Sequence, residues 1–123
     1  MSNFDDAFDA LMRDESGEFV PEDNSRGASK WGITLKTYQQ SHPDATTETI
    51  RDLTREDAKG FYFTAFWQFY HTGMIADQGI ASKLFDLGVN SSYTGSIRSL
   101  QQIAGVEADG ILGPNTANAI KNR

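Results

Sequence analysis

The 123-residue sequence contains no cysteine, only two histidines, and 11 Lys plus Arg against 17 Asp plus Glu. Without cysteine there is no disulfide framework, no thiolate nucleophile and no cysteine-ligated zinc. His42 and His71 are too few for a histidine-rich metal site. The shortage of cations gives a formal charge of -6, which repels phosphate backbones and gives no attraction to anionic membranes. We therefore expect no nucleic-acid partner and no membrane attachment.

Long hydrophobic runs are also missing from the sequence. The apolar runs are far shorter than the ~20 residues that span a bilayer, and Met1 to Arg13 carries three aspartates where a signal peptide would have lysines. A chain of this size buries roughly two thirds of its unfolded surface, which is enough for a hydrophobic core without disulfide bonds or structural metal ions. We expect one domain, or one domain with a small appendage, made in the cytoplasm and with no Sec signal peptide.

Apolar side chains recur at helical spacing along most of the chain. The clearest pattern runs from Asn3 to Asp14, where Ser2 or Asn3 is suited to cap a half-buried helix. Thr54 and Asp57 form a capping box before an aromatic helix expected to lie in the core, in which apolar residues recur at helical spacing: Ala58, Phe61, Tyr62, Ala65, Phe66 and Phe69. Helices are also predicted at Thr34 to Gln40, Gly79 to Val89, Ser96 to Ala104 and Asn115 to Lys121. The pattern predicts a mainly α fold.

Two short extended segments follow the first helix. Glu18 to Pro21 and Ser29 to Ile33 flank a polar loop, Glu22 to Ala28, which is typical of a small β-hairpin. The polar stretch from Ser41 to Thr49 is predicted to be a surface connection.

Glu15 breaks the apolar pattern of the first helix. It lies three residues after Met12 and four after Leu11, so it extends the core-facing stripe. Desolvation and the negative end of the helix dipole would both raise the pKa of this carboxyl group, as a general acid requires. The alternative is that Glu15 simply closes the helix with its carboxylate in water.

Acid-catalysed cleavage of a glycosidic bond needs a second carboxylate. The loop after Glu15 supplies Glu22 and Asp23, and Ser29 supplies a hydroxyl that could orient a water molecule beside Asp23. The alternative for Asp23 is a local hydrogen bond within its own turn.

The segment from Glu15 to Thr34 resembles the signature of glycoside hydrolase family 108, the small N-acetylmuramidases of bacteria and phages. The resemblance rests on Glu15-Ser16-Gly17-Glu18-Phe19, Asp23, Gly27 and Ala28-Ser29-Lys30-Trp31-Gly32-Ile33-Thr34. The segments Asp52 to Ala58, Tyr62 to Trp67 and Phe85 to Asn90 are similar to that family in order and spacing. Ser16, Ser25-Arg26 and Ser29 depart from its Gly, Pro-Gly and Thr. The tail, with Asp109-Gly110-x-Leu112-Gly113-Pro114-x-Thr116, resembles a peptidoglycan-binding region.

The resemblance implies a lysozyme-like helical fold with a small β-hairpin, cleaving the β-1,4 bond between N-acetylmuramic acid and N-acetylglucosamine in peptidoglycan. Glu15 matches the family's catalytic glutamate, and Asp23 and Ser29 would be the assisting pair. Residues 1–90 would form the catalytic region and residues 91–123 a short helical tail packed on it. No metal or organic cofactor is implied, and the choice between inversion and retention stays open.

Aromatic and amide side chains are candidates for substrate binding, because aromatic faces suit the apolar faces of pyranoses. Trp31 shares the hairpin with Asp23 and Ser29, and Tyr38 follows it. Asn90 would either terminate a helix or contact a sugar N-acetyl group. Trp67 and Tyr70 could form stacking platforms in the same way, although most of these four aromatic residues are expected to lie in the core.

Two alternatives to the enzyme hypothesis stay open: a noncatalytic wall-binding or interaction module with this fold, and a plain acidic helical protein. Under the enzyme hypothesis we expect a monomer that acts on glycan strands in the periplasm or cell wall. Export would depend on a holin, as for a phage endolysin, or on a secretion apparatus, as for an injected antibacterial toxin. A toxin would have a dedicated immunity protein.

Overall fold

The computed structural model describes residues 2–13, 17–21 and 27–121, and these residues are mainly helical. The α-helices and the two strands follow in the order α1 (Phe4–Arg13), β1 (Ser29–Lys30), β2 (Ile33–Thr34), α2 (Leu35–Tyr38), α3 (Thr47–Arg51), α4 (Arg55–Tyr62), α5 (Gln78–Asn90), α6 (Tyr93–Ala104) and α7 (Pro114–Lys121). A π-helical segment, Phe63–Gln68, and a 3-10 turn, Thr72–Met74, lie between α4 and α5.

The chain divides into two compact units. One unit is Met12–Gly60, which contains the hairpin. The other combines the residues before Met12 with those from Phe61 onward. None of the helices in the described residues is long and apolar enough to cross a membrane.

The β-hairpin formed by β1 and β2 lies in the second of the two predicted extended segments, Ser29 to Ile33, and continues one residue beyond it to Thr34. Strands β1 and β2 are antiparallel, with Ser29 opposite Thr34, and the turn between them is Trp31-Gly32. Both turn residues have positive φ, 56° and 79°, as a two-residue hairpin turn requires. The other predicted strand contributes a single bridge, from Val20 to Ser29. The expected pairing across the polar loop is therefore reduced to one residue pair, because the tight turn gives β1 a nearer partner.

Side-chain caps define the helix starts within Met12–Gly60. The predicted capping box of α4 is confirmed: the Asp57 N–H donates to the Thr54 hydroxyl at 3.1 Å, and the Thr54 N–H donates to the Asp57 carboxylate at 3.0 Å. A second box, Thr46 with Thr49, starts α3. The stretch predicted to be only a connection therefore contains the beginning of a helix.

An aromatic core fills the other unit. The Phe4 ring lies 5.5 Å from Trp67 and 5.7 Å from Phe85, between ring centroids, and Trp67 lies 5.8 Å from Phe85. The predicted periodicity placed Phe69 on the buried face, but Phe69 is 69% exposed while Trp67 is 5% exposed. The π-helical segment Phe63–Gln68 explains the difference, because its wider turn changes the phase at which side chains face the core.

The tail motif is held together by the buried amide of Gln101. Its nitrogen lies 3.0 Å from the Asp109 carboxylate, the Ile111 carbonyl and the Thr116 hydroxyl, and its oxygen accepts from the Gly110 N–H at 3.0 Å. The Ile111 N–H, and then the Gln101 amide, hold the pKa of Asp109 below its ordinary value. The sequence pattern of the tail therefore has a folding role, which is to fix the turn between α6 and α7.

An apolar groove lies between α5 and α6, with a volume of about 500 Å³. Leu87 and Ile103 line it and are 45% and 63% exposed.

Candidate functional site

Five of the six predicted site residues belong to the compact unit Met12–Gly60. Glu15 and Asp23 lie outside the described residues, so their predicted roles and the raised pKa of Glu15 stay predictions. Ser29, Trp31 and Tyr38 are described, and their surroundings define the candidate site.

Ser29 is fixed from both sides of its strand. Its N–H donates to the Val20 carbonyl and its carbonyl accepts from the Val20 N–H, both at 2.8 Å. On the other side it pairs with Thr34. The residue is 7% exposed, so its backbone holds a buried, hydrogen-bonded position in the strand. A hydroxyl both donates and accepts hydrogen bonds, and one on a strand held in this way is suited to orient a water molecule.

Trp31 occupies the hairpin turn with its indole directed inside the unit. The indole N–H donates to the Leu53 carbonyl at 2.9 Å. The six-membered ring covers Gly17 so closely that a Cβ on Gly17 would lie 2.5 Å from the indole Cζ3. One face of the indole is therefore occupied by the protein's own backbone. Substrate stacking by Trp31 stays a prediction.

Lys30 holds the same turn to the end of α3. Its ammonium donates to the Arg51 carbonyl at 2.7 Å, two residues before the carbonyl that Trp31 contacts. A cation at a helix C-terminus also interacts favourably with the helix dipole. Two side chains of the hairpin thus hold the strand that carries Ser29, one to the end of α3 and the other to Leu53 just after it.

Tyr38 stacks on His42, with ring centroids 4.1 Å apart and an interplanar angle of 7°. The His42 ring is oriented by a 2.9 Å hydrogen bond between Nδ1 and the Ser41 hydroxyl. Both rings line a shallow depression of about 340 Å³. Its other lining residues are Pro43, Asp44, Ala45 and Thr49. The predicted role of Tyr38 in substrate binding stays a prediction, and this open depression with an aromatic wall is where it would act.

Asn90 belongs to the other compact unit, as the last residue of α5. Its side-chain amide donates to the Asp86 carbonyl at 2.9 Å and lies 3.2 Å from the Asp86 carboxylate. These contacts are local ones at the end of α5, as expected if Asn90 terminates the helix. Contact with a sugar stays a prediction.

The sequence alone predicts no site role for Gly17, Lys30, His42 or Leu53. A signal existed for His42, because Tyr38 and His42 are four residues apart, the spacing at which neighbouring helical side chains meet. No sequence signal pairs Trp31 with Leu53, since the contact joins residues 22 apart. Within the described ranges there is also no group of three or more His, Asp or Glu side chains arranged to hold a metal ion.

Comparison with known proteins identifies a matching family and similar solved structures. The family model described as Glycosyl hydrolase 108 matches residues 8–92, which include all six predicted site residues. The solved structure of SagA from Brucella abortus is similar, with a TM-score of 0.82 and 24% sequence identity. That similarity covers 98% of this chain and 69% of the SagA chain, and at this identity it concerns the fold alone. No curated protein matches this chain in sequence.

These matches confirm two predictions. The resemblance stated from the residues Glu15 to Thr34 is confirmed by the family model. The mainly helical, lysozyme-like fold with a small hairpin after the first helix is confirmed by the order of the described elements and by the structural neighbour.

Proposed function

This chain belongs to glycosyl hydrolase family 108, and we propose that it is a muramidase that hydrolyses the β-1,4 bond between N-acetylmuramic acid and N-acetylglucosamine in peptidoglycan. The family match over residues 8–92 is the observation that carries the proposal, since it includes the catalytic candidates. The buried, doubly paired strand position of Ser29 supports it, because a catalytic hydroxyl must be held on a rigid element.

In the proposed mechanism, the protonated carboxyl group of Glu15 donates its proton to the leaving glycosidic oxygen as the bond to the anomeric carbon breaks. Asp23 accepts a proton from a water molecule on the opposite face of the sugar as the water oxygen bonds to the anomeric carbon, and the Ser29 hydroxyl orients that water. The carboxyl separation decides the stereochemistry. About 6.5 to 9.5 Å favours inversion, while about 5 to 5.5 Å favours a covalent intermediate.

We also propose that residues 1–90 form the catalytic region and that the tail, residues 91–123, completes it. The packing of α6 on α5 supports the part of the tail in completing that region, since the Tyr93 ring at the start of α6 lies directly against Gly88 of α5.

The proposed substrate lies outside the cytoplasmic membrane, so the protein would act in the periplasm or cell wall. A holin-dependent endolysin and an antibacterial effector injected by a secretion apparatus are the two proposed routes. They differ in partner, because an injected toxin would be bound and inhibited by an immunity protein encoded beside it, whereas an endolysin has none.

The test is digestion of purified peptidoglycan with the parent protein, Glu15→Gln, Asp23→Asn and a control, Glu56→Gln, which removes an exposed carboxylate from the first turn of α4. We expect turbidity to fall with the parent and with Glu56→Gln, and to persist with Glu15→Gln and Asp23→Asn. Circular dichroism should show that all four proteins are folded.

Product analysis then tests the bond that is cleaved. Borohydride reduction followed by acid hydrolysis should convert new reducing ends to muramitol. Glucosaminitol instead would agree with glycoside hydrolase activity, but it would overturn the proposal that the protein is a muramidase. Binding of peptidoglycan without any new reducing ends would favour the noncatalytic module, and lysis by Glu15→Gln at the parent rate would remove Glu15 from the mechanism.

A further inference from the structure

The contact between Trp31 and Gly17 joins the two halves of the candidate site. Gly17 follows Glu15 by two residues, and Trp31 follows Ser29 by two residues. The six-membered ring of the indole lies on the Gly17 backbone, where a Cβ would meet three ring atoms at 2.5 to 2.9 Å. Gly17 has φ of 69°, so its backbone also takes a conformation that favours glycine.

The indole itself is held in one position. Its N–H donates to the Leu53 carbonyl at 2.9 Å, while the neighbouring Lys30 ammonium donates to the Arg51 carbonyl at 2.7 Å. Trp31 has φ of 56°, a left-handed conformation that is uncommon for a large aromatic residue. A surrounding structure must stabilise such a conformation, and here the hairpin turn and the two hydrogen bonds do so.

These contacts use the polar edge of the indole and one of its faces within the protein. A residue that stacks on a sugar needs an exposed ring face and some conformational freedom. The contacts of Trp31 reduce both. What the arrangement does provide is a rigid link between the backbone just after Glu15 and the strand that carries Ser29.

We propose that Trp31 is a positioning residue, which acts through Gly17 to fix the chain that follows the catalytic Glu15 relative to Ser29. The proposal rests on the proposed function. Because small displacements of a catalytic group reduce turnover more than substrate binding, a positioning role affects kcat, whereas a sugar-stacking role affects KM.

The test uses three variants and soluble peptidoglycan fragments as substrate. Trp31→Phe removes the N–H donor and shrinks the ring, and Gly17→Ala adds a methyl group where the ring lies. Trp67→Phe is the control, because it makes the same exchange in the aromatic core of the other unit. Melting temperatures and circular dichroism establish that each variant is folded at the assay temperature.

We expect kcat to fall about 10- to 100-fold in both Trp31→Phe and Gly17→Ala, with KM within about twofold of the parent value. Trp67→Phe should retain the parent kcat. In the parent protein, the Gly17 Hα resonances should be shifted upfield by the indole ring current, and Trp31→Phe should reduce that shift.

Three results would overturn the inference. A raised KM with unchanged kcat in Trp31→Phe would assign Trp31 to sugar stacking. A kcat equal to that of the parent in both Trp31→Phe and Gly17→Ala would rule out the positioning role of Trp31. Because the parent protein is active in that case, the proposed function would still hold. A parent protein inactive on every peptidoglycan preparation would overturn the proposed function and the inference together.

Discussion

The buried side-chain amide of Gln101 lies 3.0 Å from the Thr116 hydroxyl, and this hydrogen bond joins α6 to α7. The same amide accepts from the buried Gly110 N–H. Both Gly110 and Thr116 therefore depend on one side chain for a hydrogen-bond partner inside the protein. The tail motif is thus explained by packing and hydrogen bonding within the fold.

Replacing Gln101 with leucine should lower the free energy of unfolding by about 2 to 4 kcal/mol, because it leaves the Gly110 N–H and the Thr116 hydroxyl buried without their partner. Urea denaturation measures the change. The matched control is Gln102→Leu at the exposed neighbouring position, which should stay within about 0.5 kcal/mol of the parent. Equal effects of the two substitutions would contradict the assigned role of Gln101.

Burial raises the pKa of Tyr93 above its ordinary value of 10.0, although its hydrogen bond with Thr72 acts in the opposite direction. The folded state therefore holds the phenolic proton more tightly than the unfolded state. The associated stability is fully present below pH 10 and is lost as the pH rises further, at up to about 1.4 kcal/mol per pH unit.

We expect Tyr93→Phe to remove that alkaline loss of stability, while costing about 1 to 3 kcal/mol at neutral pH because the Thr72 hydroxyl loses its buried partner. Urea unfolding between pH 8 and about pH 11 measures both effects. Tyr70→Phe is the control and should keep the alkaline loss. An identical pH dependence for the parent and Tyr93→Phe would rule out Tyr93 as its source.

Two helical glycines should respond oppositely to alanine. A Cβ on Gly60 of α4 meets nothing within 4 Å, so Gly60→Ala should stabilise the protein by about 0.5 to 1 kcal/mol through helix propensity. A Cβ on Gly88 of α5 would lie 2.6 Å from the Tyr93 Cγ, so Gly88→Ala should destabilise it by about 1 to 3 kcal/mol. Thermal unfolding of both variants checks the signs, and a stabilised Gly88→Ala would show that Tyr93 moves aside freely.

Under the proposed function, Ser29→Ala should lower kcat by about tenfold or more, because the water beside Asp23 loses the hydroxyl that orients it. Ser29→Thr should retain most of the activity, since threonine keeps the hydroxyl and suits a strand. Steady-state rates on soluble peptidoglycan fragments separate the two variants. Ser41→Ala, which removes an exposed hydroxyl from the same unit, is the control and should match the parent. Full activity in Ser29→Ala would remove Ser29 from the mechanism.

Local features of the fold could be predicted from the sequence because their causes are local. Helix α1 follows from apolar residues at helical spacing, and the α4 capping box follows from Thr54 and Asp57 three residues apart. Apart from Asn90, the candidate site was predicted as a set of residue types on one segment, Glu15 to Tyr38, and the family match includes all six residues. Their arrangement could not follow in the same way, because side-chain chemistry does not fix distances between residues far apart in the chain.

The sequence by itself determined the helical class, the starts of α1 and α4, the family and the candidate acid Glu15, since each depends on residue identity and spacing. Only the tertiary structure decided that Trp67 is buried in place of Phe69, that the indole of Trp31 covers Gly17, and that Gln101 fixes the tail. Each of these depends on which distant atoms share a space. Packing and burial select among arrangements that local propensity allows equally, and that selection appears only when the whole chain is folded.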